Sequence, residues 1–264
     1  MKRYIPFMKP NPFVAVIRLE GAIGMGARGL SDKLLRPVIE KAFARGKPVA
    51  MALEINSPGG SAVQSSLIAA RIRRLADEKD IPVVAFVEDV AASGGYWLAT
   101  AADEIIVDRG SIVGSIGVIS AGFGLTGAID KIGVERRVHT AGKSKSMMDP
   151  FRPEKPEDIA RLEGLLGDLH AYFIDHVKSR REAKLADNPD LFTGEIWVGE
   201  NAVTQGLADD VGHMVPVLQA RFGAKIKFRR YGVKRSIFQR FGAQIVGDAI
   251  AGIEDRAAYA RFGL

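Results

Sequence analysis

The sequence predicts an α/β protein in which strands and helices alternate along the chain. Two observations support that class. Short apolar runs of strand length recur, separated by longer segments whose apolar residues repeat at helical spacing. Glycine-rich turns stand where the apolar runs end and the helical segments begin. Because such alternation packs helices against a sheet of largely parallel strands, we expect the functional loops to follow the C-terminal ends of strands.

The first half of the chain shows the alternation most plainly. Each predicted strand is a run rich in valine, isoleucine and alanine, and each predicted helix has apolar residues repeating with charged residues between them. The strands are predicted at 13–18, 48–55, 82–87 and 104–107, and the helices at 30–44, 62–78 and 96–102.

The second half predicts fewer strands and a long helix. The run SIVGSIGVIS at 111–120 is β-branched and punctuated by glycine, so it suits close packing against neighbouring backbone. A further strand is predicted at 134–139. From Pro156 onward, apolar residues recur at helical spacing as far as Val177, which predicts a long amphipathic helix with proline in its first turn. A small unit at 193–215 and a last helix at 236–251 complete the prediction.

Composition excludes several kinds of chemistry. The 264 residues include no cysteine, which rules out disulfides, thiolate metal sites and cysteine nucleophiles. The four histidines form no H-E-x-x-H pattern, and His170 and His176 fall on different faces of one helix. GMGARG at 24–29 matches G-x-G-x-x-G but does not open directly off a strand, so a glycine loop is favoured over a nucleotide site. We expect neither a metal nor another cofactor.

The positive charge is concentrated near the C-terminus. Eight basic residues and no acidic one lie between Arg221 and Arg240, which leaves 29 of the 37 basic residues against 31 acidic ones elsewhere. Aromatic residues are interleaved with the charges, so the segment is interpreted either as solvated surface or as a contact for an anionic membrane. Nucleic acid is not expected as a partner.

We divide the chain into an N-terminal arm at 1–12, a domain at 13–220 and a basic tail with a helix at 221–264.

Location is predicted from the N-terminal run. Its apolar stretch is interrupted by prolines and charges well below the ~18 residues that a membrane span requires. We therefore expect a cytoplasmic protein, with a peripheral contact at the inner membrane left open.

Two glycine turns hold the candidate chemistry. NSPGG at 56–60 follows a predicted strand and precedes a helix, so it is either a tight turn or a nest of backbone N–H groups that binds an oxyanion. Ser93 stands in a second such turn, AASGG at 91–95. A helix cap would use the serine alone, whereas the flanking small residues leave room for a substrate backbone. Ser93 is thus a candidate nucleophile.

A serine nucleophile needs a base, and Lys145 in AGKSKSMMDPF is the candidate. The ordinary lysine pKa of about 10.4 leaves few neutral amines at pH 7, so a lysine base requires burial or nearby positive charge. The alternative is that Lys145 is an ordinary surface lysine, and the spacing alone does not decide between them.

Five motifs in order resemble the SppA (signal peptide peptidase A) family of serine-lysine peptidases, within the ClpP and crotonase-like superfamily. The likeness runs from about Val14 to Val215. The motifs are INSPGG at 55–60, ASGGYWLA at 92–99, GSIGV at 114–118, the K-S-x-x-x-P-F element at 145–151 and TGEIWVGENAVTQGLADDVG at 193–212. The resemblance implies a ClpP/crotonase-like fold of repeated strand-strand-helix units.

The resemblance also implies a role for each site residue. Ser93 would be the nucleophile and Lys145 its general base, with Ser115 holding the lysine amine. The backbone N–H groups of Gly60 and Gly94 would form the oxyanion hole. The histidine that ClpP-like enzymes carry after the serine is missing from SIGVIS, which is evidence against a Ser-His-Asp triad.

The expected function is a serine endopeptidase that hydrolyses peptides or unfolded polypeptides through an acyl-enzyme. The resemblance further implies a homo-oligomer in which protomers share active sites. The N-terminal hydrophobic segment of membrane-anchored family members is missing here, so membrane signal-peptide remnants are not the expected substrate. Two alternatives remain: a non-catalytic crotonase-like scaffold that binds peptides, and a crotonase-type acyl-CoA enzyme that needs no nucleophilic serine.

Overall fold

The central feature is one eight-stranded sheet. The computed structural model describes residues 12–24, 29–142, 144–232 and 256–264. The strands are β1 (Phe13–Glu20), β2 (Ala50–Ser57), β3 (Val83–Ala92), β4 (Glu104–Val107), β5 (Ile112–Gly114), β6 (Ile196–Val198), β7 (Asp210–Val211) and β8 (Lys227–Tyr231).

Helices cover the sheet and connect its strands. They are α1 (Asp32–Ala44), α2 (Ala62–Lys79), α3 (Gly94–Ala99), α4 (Thr126–Lys131), α5 (Pro156–Arg181), α6 (Gly199–Thr204) and α7 (Met214–Phe222). Two 3₁₀ helices, Glu182–Lys184 and Pro189–Phe192, follow α5, and a helical turn at 256–260 lies near the C-terminus.

The strand order explains where the loops meet. The sheet runs β6-β5-β3-β2-β1-β8, and all its pairs are parallel except β5 with β6. The first part of β3 pairs with β4 and its last residues pair with β5, with Ala92 opposite Gly114. β5 therefore lies beside the end of β3, and the turns after β2, β3 and β5 share one edge of the sheet.

The core has one layer on each face of this sheet. All eight residues of β2 are buried, as expected for a parallel strand covered on both sides. Along β1, Phe13, Ala15 and Ile17 pack with α1 and α2, whereas the alternate residues Val14 and Val16 pack towards α7. The period of two thus places successive side chains in different layers.

Most of the predicted elements are confirmed, including the four strands of the first half, the three helices between them and the long helix from Pro156. The strand predicted at 134–139 is wrong. Those residues form no strand and most are exposed, because a run carrying Glu135, Arg136 and Arg137 has no partner strand beside it. The segment from β5 to α5 instead contains α4, which the sequence did not predict.

The basic segment is partly a strand. Lys227–Tyr231 forms β8, which pairs in parallel with β1 at the edge of the sheet. The predicted helix at 236–251 and most of the glycine loop at 24–29 lie outside the described residues.

Candidate active site

Ser93 lies between β3 and α3 in a strained backbone conformation. Its φ of 53° and ψ of −121° fall in a region that residues other than glycine rarely occupy. Its N–H donates to the Gly114 C=O at 2.8 Å, and its own C=O accepts from the Trp97 N–H at 3.0 Å. The side chain makes no capping hydrogen bond to α3. The backbone of Ser93 is therefore fixed, and its hydroxyl does not cap the helix.

The turn after β2 approaches Ser93 so closely that glycine is required. Gly59 has a φ of 99°, and a Cβ there would lie 2.7 Å from the Ala92 carbonyl oxygen and 2.8 Å from the Ser93 Cβ. The register of β2 against β3 shifts between Ile55 and Ser57 at this point. The two glycine turns thus pack directly against each other.

The two predicted oxyanion donors lie side by side. A Cβ placed on Gly94 would lie 3.3 Å from the Gly60 nitrogen. Neither the Gly60 N–H nor the Gly94 N–H donates a hydrogen bond to another group in the described part of the chain. Backbone donors left free beside a serine are what stabilises the oxyanion of a tetrahedral intermediate.

Ser115 occupies the corresponding place after β5. It has a φ of 50°, is half-buried, and its N–H donates to the Glu195 C=O at 2.7 Å. Because β5 pairs with the end of β3, Ser93 and Ser115 follow the ends of adjacent strands. The structure therefore brings together four of the predicted site residues: Gly60, Ser93, Gly94 and Ser115.

Lys145 is not among them in the single chain. It is exposed in a turn, where its N–H donates to the Gly142 C=O at 3.2 Å. Across residues 12–24, 29–142, 144–232 and 256–264, no hydrogen bond joins the Lys145 amine to Ser93 or Ser115. The segment that carries it, residues 115–155 between β5 and α5, also exposes large apolar side chains: Phe123 is 86% exposed and Ile132 74%.

The side of the site that faces α5 is held by histidines that the sequence analysis considered only as metal ligands. His170 Nε2 donates to the Ile116 C=O at 3.0 Å and ties the backbone after Ser115 to α5. His176 stacks on Trp97 with ring centroids 4.5 Å apart and lies 2.9 Å from the Thr100 hydroxyl. Burial, together with the charge of Arg180, lowers the pKa of His176 to about 4. Their spacing of six residues had placed them on different faces of the helix, so it carried no signal that both make these contacts.

The described residues lack two kinds of feature, a metal cluster and a membrane-spanning helix. Among the described residues no group of three or more His, Asp or Glu side chains is arranged to hold a metal ion. No helix in that same part of the chain is long and apolar enough to cross a membrane.

Comparison with known proteins identifies the family of the chain. The model of peptidase family S49 matches residues 76–221. A chloroplastic serine protease SPPA of Arabidopsis thaliana is 33% identical over 75% of this chain and 30% of its own length. Protease 4 of Haemophilus influenzae is 33% identical over 77% of this chain and 33% of its own length.

A relative of another name matches the whole chain. The Na(+)/H(+) antiporter NhaA of Brucella melitensis is 48% identical over 100% of this chain but only 39% of its own length. This chain thus spans well under two thirds of the length of each curated relative named here.

The fold has solved counterparts. A mutant of the 1510-N membrane-bound stomatin-specific protease superposes with a TM-score of 0.52 at 17% identity, covering 86% of this chain and 100% of that one. A second mutant, in complex with a substrate peptide, has a TM-score of 0.51 at 16% identity and covers 93% and 99% of the two chains. At such identity the likeness concerns the fold.

The sheet and its covering helices place the chain in the class of α/β proteins that share the fold of these solved protease structures. Within that class, the chain belongs to peptidase family S49, the family of SppA and protease 4.

Proposed function

We propose that this chain is a serine endopeptidase in which Ser93 forms an acyl-enzyme with peptides or unfolded polypeptides. One observation is central to the proposal. The Ser93 hydroxyl is free of a capping role and stands in a strained turn beside two N–H groups that have no partner in the described part of the chain. A strained backbone at such a turn is typical of functional sites.

The proposed reaction has two halves. The Ser93 Oγ attacks the peptide carbonyl carbon while the Lys145 amine takes the hydroxyl proton, and the oxyanion is bound by the N–H groups of Gly60 and Gly94. The tetrahedral intermediate collapses as Lys145 returns the proton to the departing amine, which leaves an ester on Ser93. A water molecule, deprotonated by the same lysine, then attacks the ester carbonyl carbon. As the bond to Ser93 Oγ breaks, the lysine returns the proton to that oxygen, which releases the carboxylic acid and restores the serine hydroxyl and the neutral amine.

We propose that a neighbouring protomer supplies the lysine. A lysine base must be shielded from water, and Lys145 is exposed in the single chain. It shares its segment with exposed Ile119, Phe123 and Ile132, which are 72%, 86% and 74% exposed. Apolar side chains exposed in this number favour burial against a second copy. Such packing would bring Lys145 towards a site and remove it from water in one step.

The solved neighbours are consistent with a serine and lysine pair. One is an alanine mutant of a serine and the other an alanine mutant of a lysine, and the second was captured with a substrate peptide. Those facts describe that protease. For this chain they support the choice of Ser93 and Lys145 without fixing the substrate.

The rival is a non-catalytic scaffold that binds peptides, and the separation of Lys145 from Ser93 in one chain favours it. A fluorophosphonate probe distinguishes the two, because only an activated serine reacts. We expect the wild-type protein to be labelled at Ser93 and to cleave a peptide library read by mass spectrometry, and Ser93→Ala to do neither. Ser179→Ala, which changes an exposed serine of α5, is the matched control and should behave as wild type. Absence of labelling in the assembled wild-type protein would favour the scaffold.

A contact between the basic segment and an anionic membrane also remains a proposal. Several of its charges are already engaged: Arg221 pairs with Glu104, Arg230 with Glu54, and the Arg229 guanidinium stacks 3.6 Å from the centroid of Phe13. Binding to anionic vesicles would therefore depend on the remaining charges and should weaken with salt.

A further inference from the structure

The C-terminal segment at 256–264 reaches the ends of β1 and β2 through one phenol. The Tyr259 hydroxyl accepts a hydrogen bond from the Gly21 N–H at 3.2 Å and donates one to the Asn56 C=O at 2.6 Å. The Gly21 N–H also donates directly to the Asn56 C=O at 3.0 Å. A side chain 238 positions along the chain from Gly21 thus bridges the same two backbone groups that join the strand ends.

The bridged groups lead directly into the turn that carries the first oxyanion donor. The Ser57 hydroxyl donates to the Gly21 C=O at 2.7 Å and accepts from the Gly59 N–H at 3.3 Å. The Ser57 hydroxyl therefore links Gly21 to Gly59, the residue that packs against the Ser93 Cβ.

A second contact from the same segment reaches this turn. The Arg261 guanidinium donates to the Pro58 C=O at 3.4 Å. Two carbonyls of the turn, those of Asn56 and Pro58, are thus held by side chains of the C-terminal segment. Gly60, two residues beyond Pro58, bears the free N–H.

A turn built from Pro58, Gly59 and Gly60 has few side-chain contacts of its own to fix it. An oxyanion donor must nevertheless be held in place before the reaction, because its contribution depends on not having to reorganise. Glycine also gives the turn wide backbone freedom. Contacts from outside the turn are therefore required, and the C-terminal segment provides two.

We propose that Tyr259 is a positioning residue for the oxyanion hole. Its hydroxyl fixes the ends of β1 and β2 and so holds the Gly60 N–H towards the carbonyl that Ser93 attacks. This inference rests on the proposed role of Ser93. Tyr259 acts through Gly21 and Asn56 and does not itself touch the substrate.

The decisive variant is Tyr259→Phe in the full-length chain, which removes one hydroxyl and keeps the ring. We expect kcat for a peptide substrate to fall about three- to tenfold, the effect of one such hydrogen bond, with KM unchanged. The rate of fluorophosphonate labelling at Ser93 should fall by a similar factor. Tyr172→Phe is the matched control: it removes a hydroxyl that, within the described residues, lies 3.1 Å from the Ser66 hydroxyl, keeps the ring that packs against Trp97, and should leave both rates unchanged.

Hydrogen exchange provides a readout that does not depend on catalysis. In Tyr259→Phe the Gly21 amide should exchange several-fold faster, and so should the Ile23 and Ser61 amides, which bond to Gly59 and Ile23 next to the same turn. Exchange at these amides that matches wild type would overturn the inference.

The remaining outcomes separate the inference from the proposed function. A gain in turnover for Tyr259→Phe would overturn the inference and identify the segment as a lid over the site. If the wild-type protein labels at Ser93 and Tyr259→Phe has the same kcat as wild type, the inference is also overturned. Failure of the wild-type protein to label at Ser93 would contradict the proposed function, and hydrogen exchange would still decide whether Tyr259 fixes the turn.

Discussion

At the scale of single residues, Ser93 shows how backbone conformation separates two roles for one side chain. A capping serine has an extended backbone, and its side-chain oxygen accepts a hydrogen bond from a backbone N–H of its own helix, as Ser31 does for α1. Ser93 has a positive φ and makes no such bond. The strain at Ser93 is compensated by its backbone hydrogen bonds to Gly114 and Trp97. A neighbouring strand thus fixes the backbone that carries the hydroxyl.

Replacing Lys145 tests the base. We expect both Lys145→Ala and Lys145→Arg to be inactive, since arginine keeps the charge but cannot lose its proton at working pH. Wild-type turnover should rise with pH as the amine is deprotonated. Peptide hydrolysis followed from pH 6 to 10 checks both expectations, and a flat profile with chemistry rate-limiting would exclude a lysine base.

At the scale of elements, two glycine turns work only because their backbones approach closely. We expect Gly59→Ala to lose most activity and to destabilise the fold by about 1–3 kcal/mol, because its methyl group would meet the Ala92 carbonyl at 2.7 Å where φ is 99°. Gly164→Ala, at an exposed glycine of α5 with nothing within 4 Å of the added Cβ, is the control. Chemical denaturation and peptide hydrolysis measure the two effects. Equal stability of both variants would show that the turns are not tightly packed.

The packing of α5 against α3 predicts a pH-dependent stability. Burial holds the pKa of His176 at about 4, below its ordinary value of 6.5, so the unfolded chain binds the proton first as the pH falls. The stability linked to this histidine is complete above about pH 6.5 and is lost between there and about pH 4. We expect thermal melts to show this loss, and His176→Gln to lack that part of it.

The exposed His139 supplies the control for this measurement. A His139→Gln variant should keep the full pH dependence of wild type. If His176→Gln and wild type lose stability in parallel between these pH values, other groups are responsible for the acid sensitivity.

At the scale of the whole molecule, one chain does not bring all the predicted site residues together. Ser93, Gly60, Gly94 and Ser115 meet at one edge of the sheet, while Lys145 is exposed on a segment rich in exposed apolar side chains. We expect Ser93→Ala and Lys145→Ala, each inactive alone, to recover about a quarter of the sites when refolded together, by random pairing in a cyclic oligomer. Peptide hydrolysis by the doubly tagged mixed oligomer is the measurement. A verified mixed oligomer without activity would place both residues in one chain.

Much of the fold follows from local pattern. Apolar runs with strong β propensity became β1 to β4, and the spacing of apolar residues from Pro156 became α5. The strand expected at 134–139 failed because strand formation depends on a partner, and charged residues beside Val134 found none. β8 was not predicted, because its basic sequence is typical of exposed surface. In the fold it has a partner, since it pairs in parallel with β1.

The sequence by itself determined which residues are chemically suited to the site: a serine between small residues, two glycine turns after strands, and a lysine, with no histidine in SIGVIS. Only the tertiary structure decided that Gly60, Ser93, Gly94 and Ser115 meet, that Lys145 does not join them in one chain, and that Tyr259 reaches the turn from the other end of the sequence. The physical reason is that nucleophile and turn chemistry are local properties. Strand order and long-range hydrogen bonds are set by how the whole chain packs.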